Sequence, residues 1–260
     1  MPGNKMEELT EVLLAHGNPS EYFEELRRTD SLDQWFPELK ALIGVPQNIL
    51  YHIEGDTWTH TMMVLDEASK RRDIAKFPLG FMLSALCHDF GKAVSTSVSE
   101  DGTVHSYNHE TEGLPLVQTF LERLGAGPEL TKYVLNMTEL HMEPNTMARA
   151  RSKLKKTNKL FDSSVEPFDL IQLALCDGLG KLPQCADTEP FLMERYEDFR
   201  RIMSRPFMTA NDLEDAGVPA NEELLSYAHK LRLAGIDKDG QLRQTIAYAR
   251  SVLKMKVPEK

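Results

Sequence analysis

The chain has 260 residues, 41% of them hydrophobic, and a formal net charge of -10 at pH 7, which suits a large domain with a buried core and argues against coating of long nucleic acid. Its three cysteines contain no C-x-x-C motif, which excludes a disulfide framework and a thiolate zinc site. No apolar run approaches the roughly 18 residues of a membrane span, and the N-terminus lacks a signal-peptide pattern, so we expect a cytoplasmic protein without a membrane partner.

Helical periodicity recurs along the chain and predicts an all-α fold with one short β-hairpin. Asp56 is the predicted N-cap of a helix through TWTHTMMVLDEASKRR, which carries His60 in its first turns. Glu54 precedes this helix closely enough to orient the His60 imidazole. The next predicted helix begins near Pro78 and stops around Gly91, with the pair His88-Asp89 at its C-terminal end.

The second half of the chain continues this pattern after the hairpin, whose predicted turn is Asp101-Gly102. One helix is predicted to open at His109 and another at Pro128, the second leading to His141, while EPFDLIQLALCDGLGK predicts a helix that carries Asp177 near its end. Asp212 and Asn221 are predicted caps of helices near the C-terminus.

Imidazoles and carboxylates along the chain form a candidate metal centre. Its residues are His60, His88, Asp89 and Asp177, with His109 and His141 between them. This is the ligand set of divalent metals that activate water, and without a thiolate it does not select among Mg, Mn, Fe, Co, Ni and Zn. Neighbouring residues of a helix point about 100° apart, so His88 and Asp89 can both ligate only at a helix end or beside two metals. Each histidine alone is more often a hydrogen-bonded or surface residue, and convergence requires the tertiary fold.

The order of His60, His88-Asp89 before Gly91-Lys92, and Asp177 resembles the HD superfamily of metal-dependent phosphohydrolases. The resemblance implies an all-helical HD-domain bundle in which those four histidine and aspartate residues bind divalent metal. The segments that carry a more specific resemblance, to the HD domain of bacterial CCA-adding tRNA nucleotidyltransferases, are WFPELKALIGVPQ, YHIEGDTWTHTMMVLD, LCHDFGKAVSTSVSEDGTVHSYNHETEG and ALCDGLGK. A weaker likeness to the helical arm of that family continues through MTANDLEDAGVPANEELLSYAHKLRLAG.

This resemblance implies three parts: a helical flank at residues 1–50, the HD domain at residues 51–205 and a helical arm at residues 206–260. The nucleotidyltransferase head of the family, with its paired aspartates, has no counterpart in these 260 residues, so we expect no nucleotide addition by this chain unaided. The implied activity is a phosphatase or 2',3'-cyclic phosphodiesterase acting on a nucleotide or RNA-terminal phosphate. His109 and His141 match, in order, the histidines with which some superfamily members hold a second metal.

We expect one or two divalent ions, which lower the pKa of water and polarise a phosphoryl oxygen. Asp89 is the predicted bridge and positions the nucleophile, while Lys92 neutralises a phosphate oxygen or, equally well, complements a helix dipole. Arg149 and Arg151, in the basic segment MARARSKLKKTNK, are predicted to bind substrate phosphate, although such a run is most often a solvated helix face.

Two other functions remain open from the sequence. The chain could be a tRNA-binding or partner module for a separate nucleotidyltransferase, with a structural metal, or a nucleoside-phosphate hydrolase with a closed pocket. The expected partners are accordingly a phosphorylated small molecule, an RNA 3' end or tRNA. Composition and spacing do not determine the oligomeric state.

Overall fold

The structure is a computed structural model that describes residues 5–50 and 52–255. The first four residues of the predicted flank and residue 51, the first of the predicted HD domain, lie outside the described residues. The chain divides into two compact units: the first comprises the described residues through Ala150 together with Ser163–Leu192, and the second comprises Arg151–Asp162 and the described residues from Met193 onward. The three-part division at residues 50 and 205 stays a prediction.

In chain order, the elements of the first unit are α1 (Lys5–Ala15), α2 (Ser20–Arg28), α3 (Pro37–Lys40), α4 (Thr57–Ser69), a 3-10 helix (Arg72–Ile74), α5 (Pro78–Cys87), α6 (Lys92–Ser95), β1 (Thr96–Val98), β2 (Val104–Ser106), α7 (His109–Glu112), α8 (Leu114–Leu124), α9 (Pro128–Leu140) and α10 (Met142–Arg149). Residues 151–162 then belong to the second unit, and the last helix that lies wholly in the first unit is α12 (Pro167–Leu179). Within the described residues, β1 and β2 are the only named strands, and they pair antiparallel. The predicted all-α fold with one short hairpin is therefore confirmed.

Helix α5 is the centre of the first unit. It begins with Pro78 at the first helical position and is buried all round from Gly80 to Cys87, as expected of a helix that is apolar on every face. It packs against α1, α4, α9 and α12. Its N-terminus is held by Asp169, a fully buried carboxylate that accepts hydrogen bonds from the Lys76 and Phe77 amides and from the Tyr133 hydroxyl.

Two predicted helix boundaries are wrong. Helix α5 ends at Cys87 rather than around Gly91, and residues 88–91 form turns. The helix predicted to continue from His109 is divided at Gly113 into α7 and α8. Gly91 and Gly113 pack backbone against backbone: a Cβ on Gly91 would lie 1.9 Å from the His109 carbonyl oxygen and 2.7 Å from the Gly113 nitrogen. This close approach of two chain segments accompanies the early end of α5. The break at Gly113 has a local cause, because Pro115 in the first turn of α8 has no amide hydrogen to continue the helix from α7.

The local features of the first unit follow the prediction more closely. Asp56 is the N-cap of α4, and its side chain accepts from the Thr59 amide. In the hairpin turn Asp101 accepts from the Thr103 amide, and Gly102 takes φ 82°, a left-handed conformation that costs glycine little. The predicted cap and hairpin are confirmed.

The second unit contains most of α11 (Leu154–Ser163), most of α13 (Glu189–Met203), α14 (Ala210–Asp215), α15 (Glu222–Leu233) and α16 (Lys238–Ser251). Asn221 caps α15 through the Leu224 amide, as predicted. The prediction for Asp212 is wrong: Thr209 is the N-cap of α14, and Asp212 is the third helical residue, whose side chain accepts from the Thr209 amide in a capping box. None of the helices in the described part of the chain is long and apolar enough to cross a membrane.

Candidate metal centre

The six predicted ligand residues all belong to the first unit, where the ends of several helices meet. His60 lies in the first turns of α4, His88 and Asp89 follow α5, His109 opens α7, His141 lies between α9 and α10, and Asp177 lies near the end of α12. The four imidazoles and Asp89 are buried, whereas the Asp177 side chain is 15% exposed. The fold therefore brings together the residues that the sequence places on separate helices.

Each of the four imidazoles directs its Nδ1 at a backbone carbonyl. The partners and distances are Gly180 at 3.0 Å for His60, Ala85 at 2.8 Å for His88, Ser106 at 2.9 Å for His109 and Thr138 at 2.6 Å for His141. A carbonyl oxygen only accepts, so each Nδ1 carries the proton and donates it. In the neutral ring, Nε2 is then left with its lone pair, which is the form that binds a metal.

These Nε2 atoms meet in two pairs. The Nε2 atoms of His60 and His88 are 3.4 Å apart, and those of His109 and His141 are 3.3 Å apart. In the metal-free protein one proton can lie between the two nitrogens of each pair, and a cation that binds both lone pairs would take its place. The pairing of the rings is thus an arrangement that a positive charge would stabilise.

The Asp89 carboxylate lies between the two pairs, with one oxygen toward each. Its Oδ2 is 3.5 Å from His60 Nε2 and 3.3 Å from His88 Nε2, while its Oδ1 is 3.2 Å from His109 Nε2 and 3.9 Å from His141 Nε2. Asp177 Oδ1 is 3.1 Å from His60 Nε2, a member of the first pair. A carboxylate with a cluster of nitrogen donors at each oxygen has the geometry of a bridging ligand.

Three groups of the described residues could each hold a metal ion, namely His60, His88 and Asp89; Asp89, His109 and His141; and His52, Glu54 and His60. The first two share Asp89 and coincide with the two imidazole pairs. The Asp89 Oδ2 atom supports this interpretation, because it is buried without a hydrogen-bond partner. Lys92 Nζ lies 2.7 Å from Oδ2, close enough for an ion pair, but the two atoms are not aligned for a hydrogen bond. A buried carboxylate oxygen without a hydrogen bond is costly, and metal coordination would satisfy it.

The pKa values of the cluster describe its metal-free form. Burial opposes ionisation of His60, but its contacts with Asp177 and Glu54 outweigh burial and raise its pKa to about 9, so His60 must lose a proton before it binds a metal. Burial opposes ionisation of Asp89, but the positive charges of Lys92 and His88 outweigh it and hold the pKa of that carboxyl well below its usual range. Burial, followed by the charges of His109 and His88, lowers the pKa of His141 to about 3. An ionised Asp89 and a neutral His141 are the protonation states in which these side chains bind a metal.

A cavity of about 600 Å³ opens beside the cluster. Asp89, His109 and Asp177 of the candidate metal centre line this cavity, and so do the cations Lys92, Arg149 and Lys181. An apolar part of its wall includes Leu50, Val104 and Met142. The combination of carboxylates, cations and an apolar wall suits a phosphorylated organic molecule.

The predicted substrate-binding residues separate in the structure. Lys92 lies at the start of α6, where its Nζ lies between Asp89 Oδ2 and Gln47 Oε1, the latter at 2.8 Å. Arg149 lines the cavity, whereas Arg151 belongs to the second unit and is not among the described residues that line it. Sequence reasoning missed Lys181, which lies in the segment after α12, beyond its C-cap Gly180; its position just after the helix that carries Asp177 was the available signal.

The comparison with known proteins connects the chain to curated relatives, while no protein-family model matches it. The chain is 34% identical over 153 residues to the Multifunctional CCA protein of Actinobacillus pleuropneumoniae serotype 5b, a match that covers 58% of this chain and 36% of the relative. It is 32% identical over 217 residues to the protein of that name from Alkalilimnicola ehrlichii, covering 81% and 51%, and 33% identical over 209 residues to that of Methylococcus capsulatus, covering 78% and 43%. The chain therefore spans about half or less of the length of these relatives.

Proposed function

We propose that the chain is a metal-dependent phosphohydrolase of the HD type, a phosphatase or 2',3'-cyclic phosphodiesterase that acts on a nucleotide or RNA-terminal phosphate. The observation that supports this most is the division of the Asp89 carboxylate between two pairs of imidazole Nε2 atoms. The proposal includes an HD domain at residues 51–205 and a cytoplasmic location.

The residues around the cavity have separate roles in the proposed hydrolysis. A divalent cation held by the cluster would lower the pKa of water and polarise a phosphoryl oxygen. Asp89 would orient the attacking water, and the ring nitrogens of His60, His88, His109 and His141 would bind the cation. Lys92 donates to a phosphate oxygen through one of the three N–H groups of Nζ, which also contacts Gln47 and Asp89. Arg149 and Lys181, at the same cavity, bind the remaining phosphate oxygens.

The similarity to proteins named Multifunctional CCA protein supports a tRNA-related role. An RNA 3' end is therefore the substrate that we test first, alongside free nucleotides. Activity on nucleotides but not on RNA ends would instead indicate a nucleoside-phosphate hydrolase.

The proposal is tested by elemental analysis of protein purified without chelator, combined with assays of phosphomonoesters, phosphodiesters and ribonucleoside 2',3'-cyclic phosphates under Mg, Mn, Co, Ni and Zn. We expect bound metal in the purified protein and turnover that a chelator abolishes. Absence of turnover under every metal contradicts the proposal. Tight tRNA binding that weakens with rising salt, without hydrolysis, would instead support the tRNA-binding module with a structural metal.

The substitution Arg149→Gln is expected to raise KM about tenfold for a phosphorylated substrate, the effect of removing one charge-assisted hydrogen bond of about 1.5 kcal/mol, while kcat falls less. The side chain lines the cavity but belongs to neither imidazole pair. Steady-state kinetics measure both constants. Arg28→Gln, at a residue whose side chain is 72% exposed, is the matched control. An unchanged KM in R149Q contradicts the predicted role, and the same assay on R151Q tests the second predicted arginine.

A further inference from the structure

Gln47 lies at the cavity beside the candidate metal centre, and the mechanism proposed above gives it no role. It is 8% exposed and lines the cavity together with Lys92. The backbone next to it is held against the start of α4, because Pro46 forms an antiparallel β-bridge with Asp56 and the Gly44 amide donates to the Asp56 side chain at 2.6 Å. Gln47 is therefore a buried polar side chain on a fixed backbone.

The side-chain amide of Gln47 makes a hydrogen bond at each of its two polar atoms. Nε2 donates to the Asp56 carbonyl at 3.3 Å, and Oε1 accepts from Lys92 Nζ at 2.8 Å. A carbonyl only accepts and an ammonium only donates, so a single orientation of the amide satisfies both partners. The Asp56 carbonyl also accepts from the His60 amide at 3.2 Å. Gln47 thus connects Lys92 to the first turn of the helix that carries His60.

The Lys92 ammonium benefits from such a connection because it stands on a long, flexible stem. It also contacts Asp89 Oδ2, 2.7 Å away. That oxygen lies toward the Nε2 atoms of His60 and His88, so a cation held there would repel the ammonium and weaken this contact. The Gln47 oxygen carries no formal charge, and it therefore holds the ammonium without neutralising it.

An ammonium group has three N–H donors. One is directed at Gln47 and the ion pair with Asp89 occupies at most one other, which leaves a donor for a ligand in the cavity that Lys92 lines. We propose that Gln47 is a positioning residue that holds Lys92 Nζ where this donor binds a non-bridging phosphate oxygen of the substrate. Phosphomonoesters, phosphodiesters and 2',3'-cyclic phosphates all have such an oxygen. This inference rests on the proposed function for the role of Lys92.

The test is a double-mutant cycle of Gln47→Met, Lys92→Met and the double variant, in protein purified without chelator. Methionine keeps the length of glutamine and removes both hydrogen bonds. Calorimetry measures the binding of inorganic phosphate, and steady-state kinetics measure KM and kcat for a phosphomonoester. We expect Q47M to weaken phosphate binding and to raise KM about fivefold, the effect of one hydrogen bond, while kcat changes less. In the K92M background the same substitution should have no further effect.

Gln47→Glu is a second variant that separates positioning from a purely structural contact. Glutamate keeps an oxygen for Lys92, so a contact that serves only the fold should survive. Its negative charge, however, neutralises the ammonium and repels phosphate. Phosphate binding by Q47E should therefore be weaker than by Q47M, and binding as tight as that of wild-type protein would contradict the inference.

Gln172→Met is the matched control. Gln172 is 3% exposed, its Oε1 accepts from Arg71 at 2.8 Å, and it is not among the described residues that line the cavity. Q172M protein should therefore bind phosphate as wild-type protein does.

Unchanged phosphate binding and KM in Q47M would overturn the inference, as would an effect of Q47M that persists in the K92M background. So would loss of bound metal in Q47M, or a fall in kcat as large as the rise in KM, because Gln47 would then act only on the structure of the site. If the cycle shows the expected coupling in phosphate binding but wild-type protein hydrolyses nothing, the proposed function fails and the role of Gln47 stands.

Discussion

Replacing Asp89 by asparagine is expected to lower kcat/KM for a generic phosphodiester by about a thousandfold or more, which corresponds to about 4 kcal/mol of transition-state stabilisation. Asparagine has nearly the shape of aspartate but no charge, and its amide nitrogen would place a donor against one of the imidazole pairs that Asp89 separates. Of the three groups of described residues that could hold a metal, the two at the imidazole pairs contain Asp89 and the third is His52, Glu54 and His60, so metal bound at the imidazole pairs should fall along with activity. Steady-state kinetics and elemental analysis measure the two effects.

The helical circular-dichroism signal of D89N should persist, because the hydrogen bonds of the surrounding helices do not depend on this carboxylate. Asp73→Asn, at a residue whose side chain is 96% exposed, is the control and should keep both metal and turnover. Unchanged turnover in D89N would reject the proposed mechanism. Turnover lost with metal retained would limit the role of Asp89 to orienting the nucleophile.

The second large effect is expected from Gly91→Ala, which should lower the free energy of unfolding by about 3 kcal/mol or more, the upper range for an overpacked site. The new Cβ would meet the His109 carbonyl oxygen at 1.9 Å and the Gly113 nitrogen at 2.7 Å, and both contacts are backbone atoms that cannot rotate away. The glycine itself has φ -64°, so the cost arises from contact and not from backbone conformation. Denaturant unfolding of the metal-free protein measures it.

A backbone displacement at residue 91 in G91A protein would also affect the candidate metal centre. Relief of the contact must move the segment at Gly91 away from His109, and therefore moves Asp89 away from the His109 Nε2 atom, now 3.2 Å distant from Oδ1. G91A protein should accordingly bind metal more weakly even under conditions where it is folded. Gly17→Ala is the control, because nothing lies within 4 Å of a Cβ there and its φ is not positive. Equal stability of G91A and G17A would contradict the packing argument.

Local chemistry explains which parts of the fold were predictable. The caps at Asp56 and Asn221 and the turn at Asp101-Gly102 depend on neighbouring residues, and these predictions are confirmed. Asp212 shows the limit of such reasoning, since Thr209 three residues earlier competes for the same role and takes it. The prediction for the end of α5 was wrong in a segment that packs against residues about 20 positions later in the chain, whereas the break at Gly113 follows from Pro115, a local signal that the prediction missed.

The candidate site, too, was predictable only where contacts are local in sequence. For His88, His109 and His141 the Nδ1 partner is the carbonyl three residues earlier in the chain. The local backbone therefore already holds Nδ1 of each ring and leaves Nε2 for contacts with other side chains. His60 instead donates to Gly180, 120 residues away. The all-α fold and the residue types of the candidate metal centre could thus be predicted from the sequence alone.

Only the tertiary structure decided that two imidazole pairs meet on opposite oxygens of Asp89, that Lys181 and His52 share the cavity with Lys92 and Arg149, and that Arg151 does not line it. The physical reason is that helix periodicity specifies which face of each helix is apolar, whereas the positions of helix ends in space depend on side-chain packing and on backbone contacts such as that of Gly91 with Gly113.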